Sequence, residues 1–376
     1  MDLELTETQK SLRKTARSFL ESECPWTKAR DIQNSDLGYS PEMWRKMADL
    51  GWMSLMIPDG FEGAGGTLLD LIVLIEEMGR AALPSPFVST ALIGAQAILL
   101  AGTSEQKSLL LPKIAKGEII TALALLEANP DYTAASIKTQ AEAAGDGYVI
   151  QGTKLFVRDA GIADYIICAA RTNSKAAAEG SISLFLVKRD SPGVVCNAQN
   201  TVARDRQCEV VFNQVKVPKV SLLGTLNKGW GIIEKVIQFA TVAECADMVG
   251  VGQKALEMTV QHAKDRVQFG RPIGSFQAIQ HECADMATFV EQSRWMTYFT
   301  VWKMEQGMPV ALDVSRTKAY VSEAIQKIVR RAHQIHGGVG FTLEHSLYLY
   351  YRRALAGEVM YGNADLHRKI IAKALL

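Results

Sequence analysis

Apolar and polar positions along the 376 residues fall into three successive rhythms. Up to about residue 120 the apolar residues recur every three or four positions, the spacing that lines one face of an α-helix. Leu12, Ala16, Phe19 and Leu20 mark one such face. Thr6-x-x-Gln9 ahead of them is a capping box, which satisfies the free amides of a helix start. Ser40-Pro41 predicts a second start, with proline at the first helical position, where its missing N–H costs nothing; Trp44 and Met47 follow on one face. The stretch 67–83 is the most hydrophobic helix and reads as internal, broken by Pro84 and Pro86. Thr103-x-x-Gln106 is another capping box, before a helix that ends near Lys116-Gly117. IPDGFEGAGG, ahead of the hydrophobic helix, is a glycine-rich surface turn; no Lys-Ser/Thr follows it, so a phosphate loop is not expected.

At about residue 120 the rhythm shortens. TALALLEA, YVIQGTKLFV, YIICAAR, SISLFLVK, GVVC and CEVVFNQVKV are short runs rich in Val, Ile and Phe. Turn residues separate them, among them Asn129-Pro130, Gly145-Asp146-Gly147 and Ser191-Pro192-Gly193. From Gly229 the helical spacing returns, over 233–266, 276–304, 314–336, 344–355 and from 364 to the end, with Gly337-Gly338-Val339-Gly340 as an interruption. Long helices joined by short loops predict a bundle. The expected fold is α+β: an N-terminal helical domain over 1–119, a middle antiparallel β domain over 120–225, and a C-terminal four-helix bundle over 226–376.

Composition narrows the function classes. Apolar residues make up 48% of the chain, enough for a large core and two or three domains. Charges nearly cancel at +1 and no basic patch stands out, which argues against nucleic acid. The longest apolar runs, such as 72–75, are too short to span a bilayer. The polar start MDLELTETQ does not read as a signal or transit peptide. Cys24, Cys168, Cys196, Cys208, Cys245 and Cys283 are scattered without a CxxC pair, as expected of free thiols in a cytoplasmic protein. His333 and His336 lack a third ligand at motif spacing, so no metal site is expected.

Candidate chemistry concentrates in 262–281, HAKDRVQFGRPIGSFQAIQH, where Arg266, Gln268, Phe269 and Gln277 flank a turn. A guanidinium offers planar donors that fit a diphosphate, and an aromatic offers a flat face to a ring system. Each residue alone also fits a structural role, Arg266 as a solvated helix-end cation and Phe269 as core.

Together with its neighbours, this segment resembles the nucleotide-binding corner of the acyl-CoA dehydrogenase family. PDGFEGAGGTLLDLIVLIEEMGRAAL and GTSEQKSLLLPKIAKGE resemble the family's N-terminal helical signatures. DGYVIQGTKLFV resembles the strand pair facing the flavin, and VPKVSLLG the exit from the β domain. RVQFGRPIGSFQ and QIHGGVGF resemble the two nucleotide-binding signatures. The six, in the family's order, cover essentially the whole chain. FTLEHSLYLYYRRA resembles the bacterial branch acting on bulky acyl-CoAs with steroid side chains, cyclic or dicarboxylic acids.

The resemblance implies FAD as cofactor and oxidation of an acyl-CoA to the trans-2-enoyl-CoA. A base removes the α proton while a hydride leaves the β carbon for flavin N5. The thioester carbonyl is polarised by a flavin ribityl hydroxyl and a backbone N–H beside the base. It also implies an electron-transfer flavoprotein as acceptor, and a dimer or tetramer, because the cofactor corner is shared between chains. Arg266 matches the arginine that reaches the FAD diphosphate across a subunit interface. Gln268 and Phe269 match residues beside the adenosine diphosphate portion, and Gln277 one at the adenosine end. Gln334, Gly337 and Gly338 match the second loop, where a glycine pair lets backbone amides approach a phosphate. Phe156 fits the aromatic beside the isoalloxazine, and Asp365 falls where the family often bonds flavin.

Four positions depart from the pattern. The Thr and Ser hydroxyls of the middle-domain motif become Leu126 and Tyr132. The hydroxyl facing flavin N5 becomes Arg158, whose cation would favour reduced, anionic flavin or else fill its space. The usual base, a Glu near the C-terminus, becomes Tyr361, a phenol with an ordinary pKa of about 10 and a poor base at neutral pH; the Tyr361 backbone N–H could still polarise the carbonyl. Members that carry the base on the first bundle helix would place it at Ala240. Glu244 stands one turn further on, on the same face, within the apolar ATVAECADMVG, where burial makes a carboxylate a better proton acceptor. Asp247 points to a different face, and Glu358 and Asp365 are reserve carboxylates. Two readings stay open: a catalytic acyl-CoA dehydrogenase with its base moved to Glu244, or a non-catalytic, flavin-poor subunit paired with a homologous chain. A third is a family member with other chemistry, such as desulfination, cyclisation or reduction.

Overall fold

The computed structural model describes residues 4–173 and 175–376; residues 1–3, the start of the polar N-terminal stretch, and Ser174 lie outside it. The helices in chain order are α1 (Glu7–Glu23), α2 (Trp26–Asn34), α3 (Pro41–Asp49), α4 (Leu68–Arg80), α5 (Ala95–Ala101), α6 (Ser104–Ala115), α7 (Trp230–Asp265), α8 (Gln277–Glu305), α9 (Ala311–His336), α10 (Leu347–Val359) and α11 (Ala364–Leu375). The strands are β1 (Thr121–Ala124), β2 (Gln140–Ala144), β3 (Gly147–Arg158), β4 (Tyr165–Arg171), β5 (Ile182–Lys188), β6 (Val194–Gln199), β7 (Gln207–Pro218) and β8 (Leu222–Leu223), with β9 (Val267–Gln268) and β10 (Arg271–Pro272) as a small separate hairpin. N-terminal helices, a middle β region and C-terminal helices thus follow in the expected order.

The chain forms two compact units, and they are not sequential. One is helical and gathers Met1–Asn34, Leu68–Pro84 and Thr241–Leu376. Its core is supplied by α7 (Cys245, Met248, Val249), α8 (Met286, Val290), α9 (Val321, Ile325, Ile328) and α10 (Leu347, Tyr350, Ala354). Residues 241–252 of α7 are buried at every position, the mark of a helix covered on all sides. α4 passes close to it: a methyl on Gly250 would stand 1.9 Å from the carbonyl oxygen of Glu76, and one on Gly79 would stand 2.1 Å from that of Asp247. The buried Glu76 carboxylate on α4 is satisfied by Arg294 Nε at 2.9 Å and the Tyr298 hydroxyl at 2.7 Å. Both sequence-level capping boxes form, Thr6 with Gln9 and Thr103 with Gln106.

The other unit, Ser35–Thr67 with Ser85–Ala240, holds the sheet in the order β6-β7-β3-β2-β4-β5-β8. Pairing is predominantly antiparallel; β1 runs parallel to β4, and β2 meets β4 in parallel at a single residue pair. β2, with the sequence QAEAA, carries no strand signal and is fixed by its ladder to β3. Between Lys154 and Val157, two residues of β3 oppose one of β7, a bulge that turns the strand end and re-aims Phe156. Behind it Lys154, fully buried, bonds Glu127 at 2.7 Å and the Leu125 carbonyl at 3.1 Å.

Candidate active site

In the helical unit, α7 ends in a two-residue hairpin turn. Phe269 (φ 53°) and Gly270 (φ 77°) both take the left-handed conformation that such a tight turn requires, while Arg271 pairs with Gln268 across it. Glycine adopts this freely; for phenylalanine it is strained. The turn leaves Phe269 92% exposed, in a T-shaped contact with Phe276, over whose ring Arg271 stacks at 4.2 Å. Arg266, Gln268 and Gln277 are exposed around it. At the end of α9, Gln334, Gly337 and Gly338 are exposed too. Gly337 has φ 64° and ψ −145°, a region open only to glycine, and a methyl on either glycine would meet nothing within 4 Å. The His262 and His336 rings, one near the end of each helix, stack at 4.4 Å. Burial pushes His336 down to about 4, so this contact is between neutral rings at neutral pH.

Deeper in the same unit lies the carboxylate cluster of α7. Glu244 is buried, and its Oε1 lies 2.9 Å from where a methyl on Gly357 of α10 would sit. The absence of a side chain at Gly357 is what admits the carboxylate. Asp247 faces elsewhere, gripped by both arms of Arg353 (Nε–Oδ2 2.8 Å, Nη2–Oδ1 2.5 Å). After α10 the chain turns through Tyr361 (φ 56°) and Gly362 (φ 99°), both buried, into α11. The sequence did not single out Lys318 and His367, which fasten this turn. Lys318 sits four residues after Val314 and three before Val321 on an apolar stripe, which was the available signal. Asp365 is exposed and 3.4 Å from Arg368, whereas Glu244 is buried.

In the sheet unit, Phe156 (φ 56°) emerges from the bulge 46% exposed, its amide bonded to Gln199 Oε1 at 3.2 Å. Arg158 follows, half-buried, and then Asp159, buried with φ 60° and accepting the Ser89 hydroxyl. Burial lifts the Asp159 carboxyl to about 6, against the opposing pull of Arg158. Leu126 is half-buried beside Glu127, and Tyr132 is a further left-handed residue, at φ 51°.

Comparison with known proteins identifies the family. The acyl-CoA dehydrogenase N-terminal, middle and C-terminal domain descriptions match residues 6–118, 122–215 and 227–376. The chain belongs to the acyl-CoA dehydrogenase family. Among its relatives is the acryloyl-CoA reductase (NADH) of Anaerotignum propionicum, 32% identical over 100% of this chain and 96% of the relative. Another is the caffeyl-CoA reductase-Etf complex subunit CarC of Acetobacterium woodii, 31% identical over 99% of each. The solved structure of butyryl-CoA dehydrogenase from Megasphaera elsdenii superposes with a TM-score of 0.92 at 27% identity, covering all of both chains.

As an acyl-CoA dehydrogenase the protein is an FAD-dependent oxidoreductase of acyl-CoA thioesters, working in the oxidative or the reductive direction. The corner around Phe269 and the 337–338 glycines fits the adenosine diphosphate part of the cofactor. The exposed, strained Phe269 and the open glycine pair at 337–338 present a flat ring and accessible backbone amides, as an adenosine diphosphate group requires. Among the described residues no helix is long and apolar enough to cross a membrane, and no cluster of three metal-ligating side chains occurs.

Proposed function

We propose that this acyl-CoA dehydrogenase interconverts an acyl-CoA and its 2,3-enoyl-CoA with Glu244 as the base. The observation that carries the proposal is the buried Glu244 carboxylate set against Gly357, four residues before Tyr361. Tyr361, matched to the family's usual base position, offers a phenol, a poor base at neutral pH. Glu244 removes the α proton as carboxylate in the oxidative direction; as carboxylic acid it returns a proton to the α carbon in the reductive one. FAD, when bound, supplies the two-electron exchange for the β hydride. Arg266, Gln268, Phe269, Gln277, Gln334, Gly337 and Gly338 hold its adenosine diphosphate portion, Phe156 and Arg158 attend the ring, and Asp365 adds a further contact. The Arg158 cation favours reduced, anionic flavin, and relatives named as reductases support a substrate class that includes conjugated enoyl-CoAs. The protein acts in the cytoplasm as a homo-oligomer, exchanging electrons with an electron-transfer flavoprotein. Glu244→Gln tests the assignment: turnover of a panel of acyl- and enoyl-CoAs is lost with FAD retained. Turnover kept at the wild-type rate would remove Glu244 from the mechanism.

A second reading is favoured by Leu126, Tyr132 and Arg158, which replace three flavin-facing hydroxyls. In it the chain is the flavin-poor member of a pair with a homologous subunit. FAD content decides between them: the chain purified alone carries stoichiometric FAD in the first reading and little in the second.

A further inference from the structure

Lys318 is fully buried on the apolar stripe of α9. An ammonium in such a place is costly unless its protons find acceptors. They do: Lys318 Nζ donates to Ser322 Oγ at 2.8 Å, to the Gly357 carbonyl at 2.7 Å and to the Glu358 carbonyl at 2.9 Å. The two carbonyls belong to the last turn of α10, where a helix runs out of its own amides and carries a partial negative charge. Lys318 therefore caps α10 from a neighbouring helix. Three residues later the left-handed Tyr361 turn is held from its other side, by His367 Nε2 on the Tyr361 carbonyl at 3.1 Å. A carbonyl only accepts, so Nε2 carries the proton, and the neutral ring leaves the buried Nδ1 as an unpartnered lone pair. Glu244 and Lys318 meet at one residue: Glu244 Oε1 lies where a side chain of Gly357 would be, and Lys318 holds that residue's carbonyl.

We propose that Lys318 is a positioning residue of the reaction, fastening the α10–α11 turn and setting a fixed positive charge beside Glu244, with His367 as the second fastener. The charged and titratable groups facing it are Glu244 and Cys245 from α7, Glu358 from α10 and His367 from α11. Burial draws the Lys318 ammonium's pKa down, and Cys245, Glu244 and Glu358 push it back up. Burial, then the Lys318 charge, drives His367 down to about 4, so the ring is neutral at neutral pH, and the Tyr361 carbonyl selects the tautomer with its proton on Nε2. The part of this inference that concerns catalysis rests on Glu244 being the base; the fastening of the turn does not.

The test compares FAD-loaded wild type with Lys318→Met, and with Lys318→Gln in case the first variant does not fold. Deuterium incorporation at the α carbon of butyryl-CoA in D2O, followed against pH, reads the base. Removing the cation moves the acid limb of this profile up by about one pH unit or more, because a nearby cation stabilises the ionised carboxylate. Mass-spectrometric exchange at the histidine C2 position reads His367 directly. It titrates near 4 in the wild type and moves toward the ordinary histidine range in the variants. Backbone amide exchange across 357–363 becomes faster. An acid limb and a His367 titration both unmoved in the variants would overturn the proposal, as would a wild-type His367 titrating near 6.5. If α exchange is absent from the wild type with butyryl-CoA and with every member of the acyl-CoA panel, the base assignment fails, and the His367 and amide-exchange measurements still decide the fastening role.

Discussion

Replacing Gly357 with alanine should separate catalysis from stability. The added methyl would stand 2.8 Å from Met248 Cγ, 2.9 Å from Glu244 Oε1 and 3.0 Å from Met248 Sδ. All three are ends of flexible side chains, so they can retreat; restoring ordinary contact moves the carboxylate by about 0.5 Å. Such overpacking costs about 1–3 kcal/mol. Alanine in place of glycine inside α10 returns about 1 kcal/mol of helix propensity. The net change is small, about 0–2 kcal/mol, and the melting temperature should fall by less than about 6 °C. Activity should suffer more. A catalytic group displaced by about 1 Å can lose about a hundredfold in rate, so a half-ångström shift of Glu244 should lower kcat about tenfold. The assay is steady-state turnover of the fastest substrate in an acyl-CoA panel, beside thermal melting and FAD content. Gly250→Ala is the contrasting control: its methyl would meet backbone, 1.9 Å from the Glu76 carbonyl, and should prevent stable folding. Wild-type turnover in Gly357→Ala would refute the placement of Glu244, and so would a rate loss matched by loss of folded protein or FAD.

Further outcomes follow from the same geometry. Lys154→Met strands the buried Glu127 carboxylate, which burial would push up but Lys154 and the Thr139 and Lys138 amides hold below the usual carboxylate range. The variant should lose about 3–5 kcal/mol at pH 7, much of it recovered in the Lys154→Met/Glu127→Gln double variant by denaturant titration. The depressed Glu127 carboxyl gives stability that is present above about pH 4 and is lost as pH falls further. Asp159 has the opposite sign: its carboxyl, lifted to about 6, binds a proton more readily folded than unfolded, so stability falls as pH rises from about 4 to 6. Asp159→Asn should flatten that slope and raise stability at pH 7 by about 1–3 kcal/mol; an unchanged slope in pH-dependent melting would count against it. Gly338→Ala meets no protein atom within 4 Å and should melt like the wild type without FAD. It should nevertheless retain less FAD in dialysis, because the methyl blocks close approach to the amide.

Much of the fold was legible in the sequence because the local signals agree with the tertiary outcome. Capping boxes at Thr6 and Thr103 and the proline start at Ser40 fix helix ends through short-range hydrogen bonds, which need no partner element. β2 was not legible, because an Ala/Glu-rich run favours helix and becomes a strand only by pairing with β3. The joining of the first 34 residues and 68–84 with the C-terminal helices into one unit is likewise a long-range result; the Gly79 and Gly250 contacts that permit it look like ordinary helical glycines in a sequence. At the candidate site, Glu244 stood out as a carboxylate in an apolar stretch. The bidentate Arg353 partner of Asp247, 106 residues away, did not, nor did the Lys318 cap on α10. A partner's spacing is set by packing, and single-residue patterns do not record it.

The central claim is that Glu244 takes the α proton. The most direct measurement is deuterium incorporation at the α carbon of butyryl-CoA in D2O, without an electron acceptor, by FAD-loaded wild type and Glu244→Gln. The account predicts exchange in the wild type and its loss in Glu244→Gln, with FAD content unchanged and with Tyr361→Phe still exchanging. Exchange that survives in Glu244→Gln and disappears in Tyr361→Phe would contradict it.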